Sequence, residues 1–133
     1  MNGRPHEGIA TDASHSVKNG LTRYRGIDLR TGVEIFHESL GNQTVNIGEF
    51  LGVVAAAKFI IEHSYSPGII YTDSITAITW FNQKRTASKR KIPAMFKAEV
   101  FLQTMTCEID SIEIVHWNND KWGETPADYG LKP

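Results

Sequence analysis

The order of strand-like and helix-like segments most restricts how this chain folds. Alternating apolar and polar residues predict strands, and apolar residues three and four positions apart predict helices. By these criteria the predicted strands are 7–13, 21–29, 33–39, 68–72 and 112–117, and the predicted helices are 46–63, 74–83 and 93–105. The order is therefore βββαβααβ, with one helical turn predicted after Pro126.

A hairpin that leads into a βαβ unit predicts an α/β fold, a five-stranded mixed sheet with helices on both faces. Ligand sites in such sheets lie at the carboxyl ends of the parallel strands. Asp12 and Asp73 each end a predicted strand of this kind. No repeat or linker divides the 133 residues, so we expect a single domain spanning 1–133.

Composition restricts the class of protein further. The longest apolar stretch, 50–57, contains Gly52 and is followed by Lys58, so no membrane span is predicted. The polar N-terminus has no signal-peptide pattern. The single cysteine, Cys107, excludes an internal disulfide and is typical of a reducing compartment. We therefore expect a cytoplasmic protein. As a separate expectation, the protein is a monomer.

The charge distribution leaves two interpretations open. A net charge of −1 is unusual for a nucleic-acid-binding protein, which normally has a basic surface. One segment is strongly basic, however, and contains Lys84, Arg85, Lys89, Arg90 and Lys91. It is either a substrate-binding surface or a solvated loop between two helices.

Four carboxylates are candidate metal ligands: Asp12, Glu49, Asp73 and Asp128. Taken singly, each of these acids could instead have a purely structural role. Asp12 ends a strand, Asp73 is placed to cap a helix, Glu49 completes a capping box with Asn46, and Asp128 suits a first helical turn. Together they favour metal, because gathering four carboxylates without a cation costs several kcal/mol. Mg²⁺ and Mn²⁺ are the cations that prefer such oxygen ligands.

The sequence segments that contain these acids resemble segments of type 1 ribonucleases H. The resemblance extends from Ile9 to about Asp128. The matching pieces are Gly8-Ile9-Ala10-Thr11-Asp12, Asn46-Ile47-Gly48-Glu49, Thr72-Asp73-Ser74 and Ala127-Asp128. The resemblance implies a ribonuclease H-like fold and an endonuclease that cleaves the RNA strand of RNA·DNA hybrids. It implies two Mg²⁺ ions, with Mn²⁺ as an alternative, held by the four acids, and 5′-phosphate products. It also implies substrate contacts for Thr44, Asn46, Ser74, Lys89, Arg90 and Lys91.

The C-terminal part departs from the family pattern. Ribonucleases H commonly have a loop histidine where this chain has Asn118. His116 belongs to a predicted strand, so we expect His116 to be structural. Glu124 is a candidate acid near the metals, and Asn118 a candidate auxiliary residue. Only five residues follow Asp128, so the usual C-terminal helix is expected to be short or absent. The C-terminal sequence 121–130 resembles that of a Bacteroidetes-type subgroup of ribonuclease H homologues.

Two other functions remain open. One is a nuclease of the same superfamily that acts on DNA. It is disfavoured because Thr44 and Asn46 resemble the T-x-N element with which ribonucleases H contact the hybrid. The other is a non-catalytic module that binds hybrids, suggested by the missing loop histidine. The four acids disfavour the second, because a module that only binds has no use for carboxylates that repel one another.

Overall fold

The computed structural model describes residues 3–89 and 92–129. Its strands are β1 (Ile9–Ser16), β2 (Leu21–Asp28), β3 (Glu34–Ser39), β4 (Ile69–Thr72) and β5 (Glu113–His116). They form one sheet in the order β3-β2-β1-β4-β5. β1 pairs antiparallel with β2 and parallel with β4, and β4 pairs parallel with β5. The predicted five-stranded mixed sheet is confirmed.

The helices described are α1 (Val45–His63), α2 (Ile75–Gln83), α3 (Pro93–Thr104), α4 (Thr106–Asp110) and α5 (Asn119–Trp122). The first three match the predicted helices to within one residue at each end. The last two were not predicted, since four or five residues are too few to show a helical period. No helix in the described ranges is both long and apolar enough to cross a membrane.

The main hydrophobic core lies between the sheet and helices α1, α2 and α3. Ile9 of β1 and Ile70 of β4 are partners in register and are both fully buried in it. Phe50 of α1 is also fully buried, and the ring of Trp80 from α2 packs against it edge-on, with centroids 5.8 Å apart. These contacts hold α1 and α2 on one face of the sheet.

The chain after β5 covers the opposite face. A smaller buried cluster there consists of Ala10, Ile27 and Ala127. Trp117 is fully buried and packs edge-on against Tyr71 of β4 and against Trp122 of α5, with centroids 5.9 and 5.2 Å apart. The short α5 and the segment that follows it therefore lie over this face.

β1 is longer than the sequence predicted. The strand was expected to end at Asp12, but it continues to Ser16 as the antiparallel partner of β2. Its parallel pairing with β4 stops at Ala10, opposite Tyr71. Because β4 is only four residues long, β1 runs on past the end of its neighbour. Asp12 therefore lies inside a strand, yet still at the carboxyl edge of β4.

Candidate metal centre

Three of the four predicted ligands come together at this edge. Asp12 is on β1, Glu49 is on α1, and Asp73 directly follows β4. One carboxylate oxygen from each residue lies within 4.8 Å of the other two. We call these three residues the acidic group. They reach one point from three different elements, so the group depends on the tertiary fold and not on any local motif.

Glu49 reaches the group because α1 lies unusually close to the sheet. A Cβ atom on the preceding Gly48 would come within 3.0 Å of the Thr22 side chain and 3.1 Å of the Ala13 Cβ. Glycine at this position therefore permits the close approach. Glu49 is left 8% exposed, and its Oε1 atom has no hydrogen-bond partner among the described residues. A buried, unpaired carboxylate oxygen is costly unless something else binds it.

The capping-box role considered for Glu49 is wrong. α1 begins at Val45, and its N-cap is Thr44, whose Oγ1 accepts a hydrogen bond from the Ile47 N–H at 3.4 Å. Glu49 is therefore the fifth residue of the helix and lies beyond the N3 position that a capping-box glutamate occupies. Asn46, predicted to open the helix, is an exposed residue of its first turn.

Burial and the neighbouring negative charges raise the pKa values of two members of the acidic group, Asp12 and Glu49. The pKa of Asp12 rises to about 7, first through burial and then through the negative charge of Asp73. Asp128 adds a smaller upward effect, and Arg25 a downward one. The pKa of Glu49 rises to about 9, again mainly through burial, followed by the charges of Asp12 and Asp73. The site disfavours negative charge while it contains only protein.

A divalent cation fits this arrangement. It would neutralise the repulsion between the carboxylates and would give the unpaired Glu49 oxygen a partner. Carboxylate oxygens are the ligands that hard cations such as Mg²⁺ and Mn²⁺ select. The acidic group is thus suited to hold a metal ion, and its chemistry alone does not choose between these two.

The surroundings of Asp73 also correct one expectation. The N-cap of α2 is Ser74, whose Oγ accepts from the Ala77 N–H at 3.0 Å. Asp73 is therefore not the cap, and its carboxylate remains available. Asn119 Nδ2 donates to Asp73 Oδ2 at 3.2 Å. The sequence analysis singled out the neighbouring Asn118 and missed Asn119, because nothing local shows that a residue after β5 reaches Asp73.

Asp128 stands next to the acidic group without joining it. It follows a single turn, closed by its own N–H donating to the Thr125 carbonyl at 2.9 Å, and no helix forms there as far as Tyr129. Arg25 holds this segment: its Nε donates to the Ala127 carbonyl at 2.7 Å, and its Nη2 donates to the Asp128 carbonyl. Sequence analysis missed Arg25, although the residue lies in the predicted strand 21–29, which in the structure pairs with β1.

The described residues among the predicted substrate contacts lie in three places: at the start of α1, at Ser74 before α2, and at Lys89 in the basic segment. Thr44 lines a surface groove together with His15, Asn42, Gln43 and Val45. In the basic segment, Lys89 is exposed, whereas Arg90 and Lys91 lie outside the described residues. Lys84, at the start of that segment, forms an ion pair with Asp110 at 2.8 Å. Part of the local positive charge is therefore already balanced.

The two auxiliary candidates differ in their surroundings. Asn118 is the N-cap of α5, and its Oδ1 accepts from the Lys121 N–H at 2.9 Å. That capping bond gives Asn118 a structural role in this loop. Glu124 is exposed, as is His116 at the end of β5.

The fold has clear relatives among solved structures, although no family model matches the sequence. The N-terminal ribonuclease H domain of a Mycobacterium tuberculosis protein superposes with a TM-score of 0.54 at 15% identity, over 84% of this chain and 86% of that one. LC11 ribonuclease H1, isolated from compost, gives 0.56 at 16% identity over 88% of both chains. Its complex with an RNA/DNA hybrid gives 0.52 at 16% identity over 86% of both.

These similarities define the class of fold. The chain is a mixed α/β protein whose carboxylates converge at the carboxyl edge of a central parallel strand pair. Its fold is the ribonuclease H-like fold, as the sequence predicted.

Proposed function

We propose that this protein is a metal-dependent endonuclease that cleaves the RNA strand of RNA·DNA hybrids. The observation that carries the proposal is the acidic group, in which three carboxylates lie within 4.8 Å of one another at the edge where this fold binds ligands. The buried Glu49 Oε1 atom supports it, because a bound cation would supply the partner that this oxygen lacks among the described residues.

Asp12, Glu49, Asp73 and Asp128 would hold two divalent cations, Mg²⁺ or Mn²⁺. Such ions lower the pKa of a bound water and stabilise the leaving oxygen of a phosphodiester, which yields 5′-phosphate products. Asp12 is central, because it lies on the middle strand and its pKa responds to the charges of both Asp73 and Asp128. Asn119 would orient the Asp73 carboxylate through its hydrogen bond.

The choice of an RNA·DNA hybrid rests on two observations. One solved relative of the same fold is a complex with an RNA/DNA hybrid. In addition, Thr44 and Asn46 are at the start of α1, the helix that carries Glu49. Contacts from Thr44, Asn46, Ser74 and the basic residues 89–91 would follow phosphates and sugars, so little base preference is expected.

A cleavage assay tests the proposal directly. An end-labelled RNA·DNA hybrid, duplex DNA and duplex RNA of the same sequence are incubated with the protein in Mg²⁺ or in EDTA. We expect cleavage of the hybrid's RNA strand, in Mg²⁺ only. Cleavage of duplex DNA instead would indicate a DNA nuclease of the same fold. Metal-independent binding without any cleavage would indicate a hybrid-binding module.

A further inference from the structure

Asp128 lies in a segment with little secondary structure of its own. The described chain from Gly123 to Tyr129 contains one turn, and residues of such a segment are normally mobile. A carboxylate that takes part in metal binding must instead be held in a narrow range of positions. Something outside this segment must therefore hold it.

Arg25 on β2 makes the contacts that do so. Its guanidinium donates from Nε to the Ala127 carbonyl at 2.7 Å and from Nη2 to the Asp128 carbonyl. The same group lies 4.7 Å from the centroid of the Tyr129 ring. Three consecutive residues are thus held by one side chain, through two charge-assisted hydrogen bonds and one cation–π contact.

The guanidinium is itself held in place. Its Nη1 donates to Glu34 Oε2 on β3 at 3.3 Å, and the Arg25 side chain is only 23% exposed. All three nitrogens therefore have partners, and the planar fork has a single orientation. Lysine, with one point-like ammonium, cannot reproduce this pattern.

Arg25 is also the cross-strand partner of Asp12. The register of β1 and β2 places these two residues directly opposite each other. The residue that anchors the segment and the central acid of the site thus belong to the same rung of the sheet. The pairing of Asp12 with Arg25 therefore fixes the backbone of Asp128 relative to Asp12, even though residues 127–129 do not form a helix.

We infer that Arg25 is a positioning residue, which anchors residues 127–129 to β2 and so holds Asp128 beside the acidic group. Only the expected effect of Arg25 on catalysis rests on the proposed function. The anchoring itself is a property of the chain alone and is measured without substrate.

Hydrogen exchange followed by mass spectrometry tests the anchoring in the full metal-free chain. Arg25→Gln and Arg25→Lys should both speed amide exchange in the peptide containing residues 125–129 by about 10-fold or more, because each removes charge-assisted hydrogen bonds. Arg23→Gln is the matched control: Arg23 lies on the same strand with its guanidinium 4.9 Å from the Tyr129 ring, and no hydrogen bond from it to residues 127–129 is described. Unchanged exchange in Arg25→Gln, with α1 equally protected in both proteins, would overturn the inference.

A measurement on the unmodified protein covers the case in which a variant does not fold. In an NMR spectrum the Arg25 Nε–H should exchange slowly with water and show a coupling across the hydrogen bond to the Ala127 carbonyl. A rapidly exchanging Nε–H would also overturn the inference.

The catalytic consequence has its own readout. Arg25→Gln should raise the Mg²⁺ concentration needed for half-maximal hybrid cleavage by about 5-fold or more, with the KM for the hybrid nearly unchanged, since second-sphere partners typically affect metal affinity 10–100-fold. In an Asp128→Asn background the same change should have an effect below about 2-fold, because coupled residues are non-additive. Equal effects in both backgrounds would mean that Arg25 does not act through Asp128. Wild-type protein that shows the slow exchange but no cleavage would refute the proposed function and leave the anchor intact.

Discussion

Glu49 and Asp73 present their carboxylates to each other within 4.8 Å, yet Glu49 Oε1 is buried with no hydrogen-bond partner among the described residues. The two residues come from α1 and from the end of β4, so the folded chain forces this contact. The negative charge of Asp73 raises the pKa of Glu49. The contact is unfavourable while both carboxylates are charged, and a cation that binds between them offsets this repulsion.

Metal should therefore stabilise the fold. We expect millimolar Mg²⁺ or Mn²⁺ to raise the melting temperature, because a ligand that binds only the folded state adds RT ln(1 + [L]/Kd), about 2.7 kcal/mol at 100 times Kd. Differential scanning calorimetry at several metal concentrations measures this. Asp110→Asn, which alters an acid outside the group, should keep the full shift. A melting temperature independent of metal in the wild type would show that the acidic group does not bind cations.

The raised pKa of Glu49 predicts how stability depends on pH without metal. Its pKa rises from 4.5 to about 9 on folding, so between these values the folded state binds more protons than the unfolded state. The free energy of unfolding must then fall as pH rises through this window. Relative to the wild type, Glu49→Gln should gain on the order of 1–3 kcal/mol at pH 8 and much less at pH 5.

Urea denaturation in EDTA at the two pH values measures this difference, and repeating it in Mg²⁺ provides the control. With metal bound the carboxylate is neutralised, so the advantage of Glu49→Gln at pH 8 should disappear or reverse. A variant that is less stable than the wild type at pH 8 in EDTA would contradict the raised pKa.

Local patterns were sufficient to predict the sheet, three helices and the edge where the acids meet. The β-branched segment before Asp73 and the periodic apolar face of α1 are strong signals because each reflects its own burial. They placed Asp12, Glu49 and Asp73 correctly relative to the sheet, although β1 proved longer and α1 is capped by Thr44.

Contacts between distant segments were not predictable in the same way. Arg25 reaches Ala127 over 102 positions, and Asn119 reaches Asp73 over 46. Neither contact leaves a periodic trace in the sequence, since each depends on how the chain after β5 returns over the sheet. The basic segment shows a related limit: its composition indicates positive charge, but not that Lys84 is paired with Asp110.

The basic segment should contribute to binding through its positive charges. Replacing Lys89, Arg90 and Lys91 by alanine should weaken hybrid binding and reduce the slope of log K against log salt by roughly 0.9 for each phosphate that is no longer neutralised. Fluorescence anisotropy between about 50 and 200 mM salt, a range that reveals counterion release, measures the slope. Lys84→Ala is the control, because its charge is engaged by Asp110, and it should change the slope little. An unchanged slope in the triple variant would identify the segment as a solvated loop.

Alanine variants of the neighbours Asn118 and Asn119 should distinguish a structural role in the loop from a role at the metal centre. Asn118→Ala removes the α5 cap, which typically costs about 1 kcal/mol, and should lower hybrid cleavage by ~10-fold or less. Asn119→Ala frees the Asp73 carboxylate and should raise the Mg²⁺ concentration needed for half-maximal cleavage, about 10-fold if it behaves as a typical second-sphere partner. Steady-state cleavage across a Mg²⁺ series distinguishes them. If Asn118→Ala were the more damaging change, the loop would contain a catalytic group, with Glu124 the first to test.

The measurement that tests the account most directly is hybrid cleavage by Asp73→Asn in Mg²⁺. The substitution keeps the shape of the side chain and removes its charge, and α2 keeps its cap because Ser74 supplies it. We expect cleavage to fall by roughly three orders of magnitude or more, as the loss of a metal ligand implies. Asp110→Asn, in which an exposed aspartate outside the acidic group is changed in the same way, should cleave normally. Near-normal cleavage by folded Asp73→Asn would contradict the assignment of the acidic group as the catalytic metal centre.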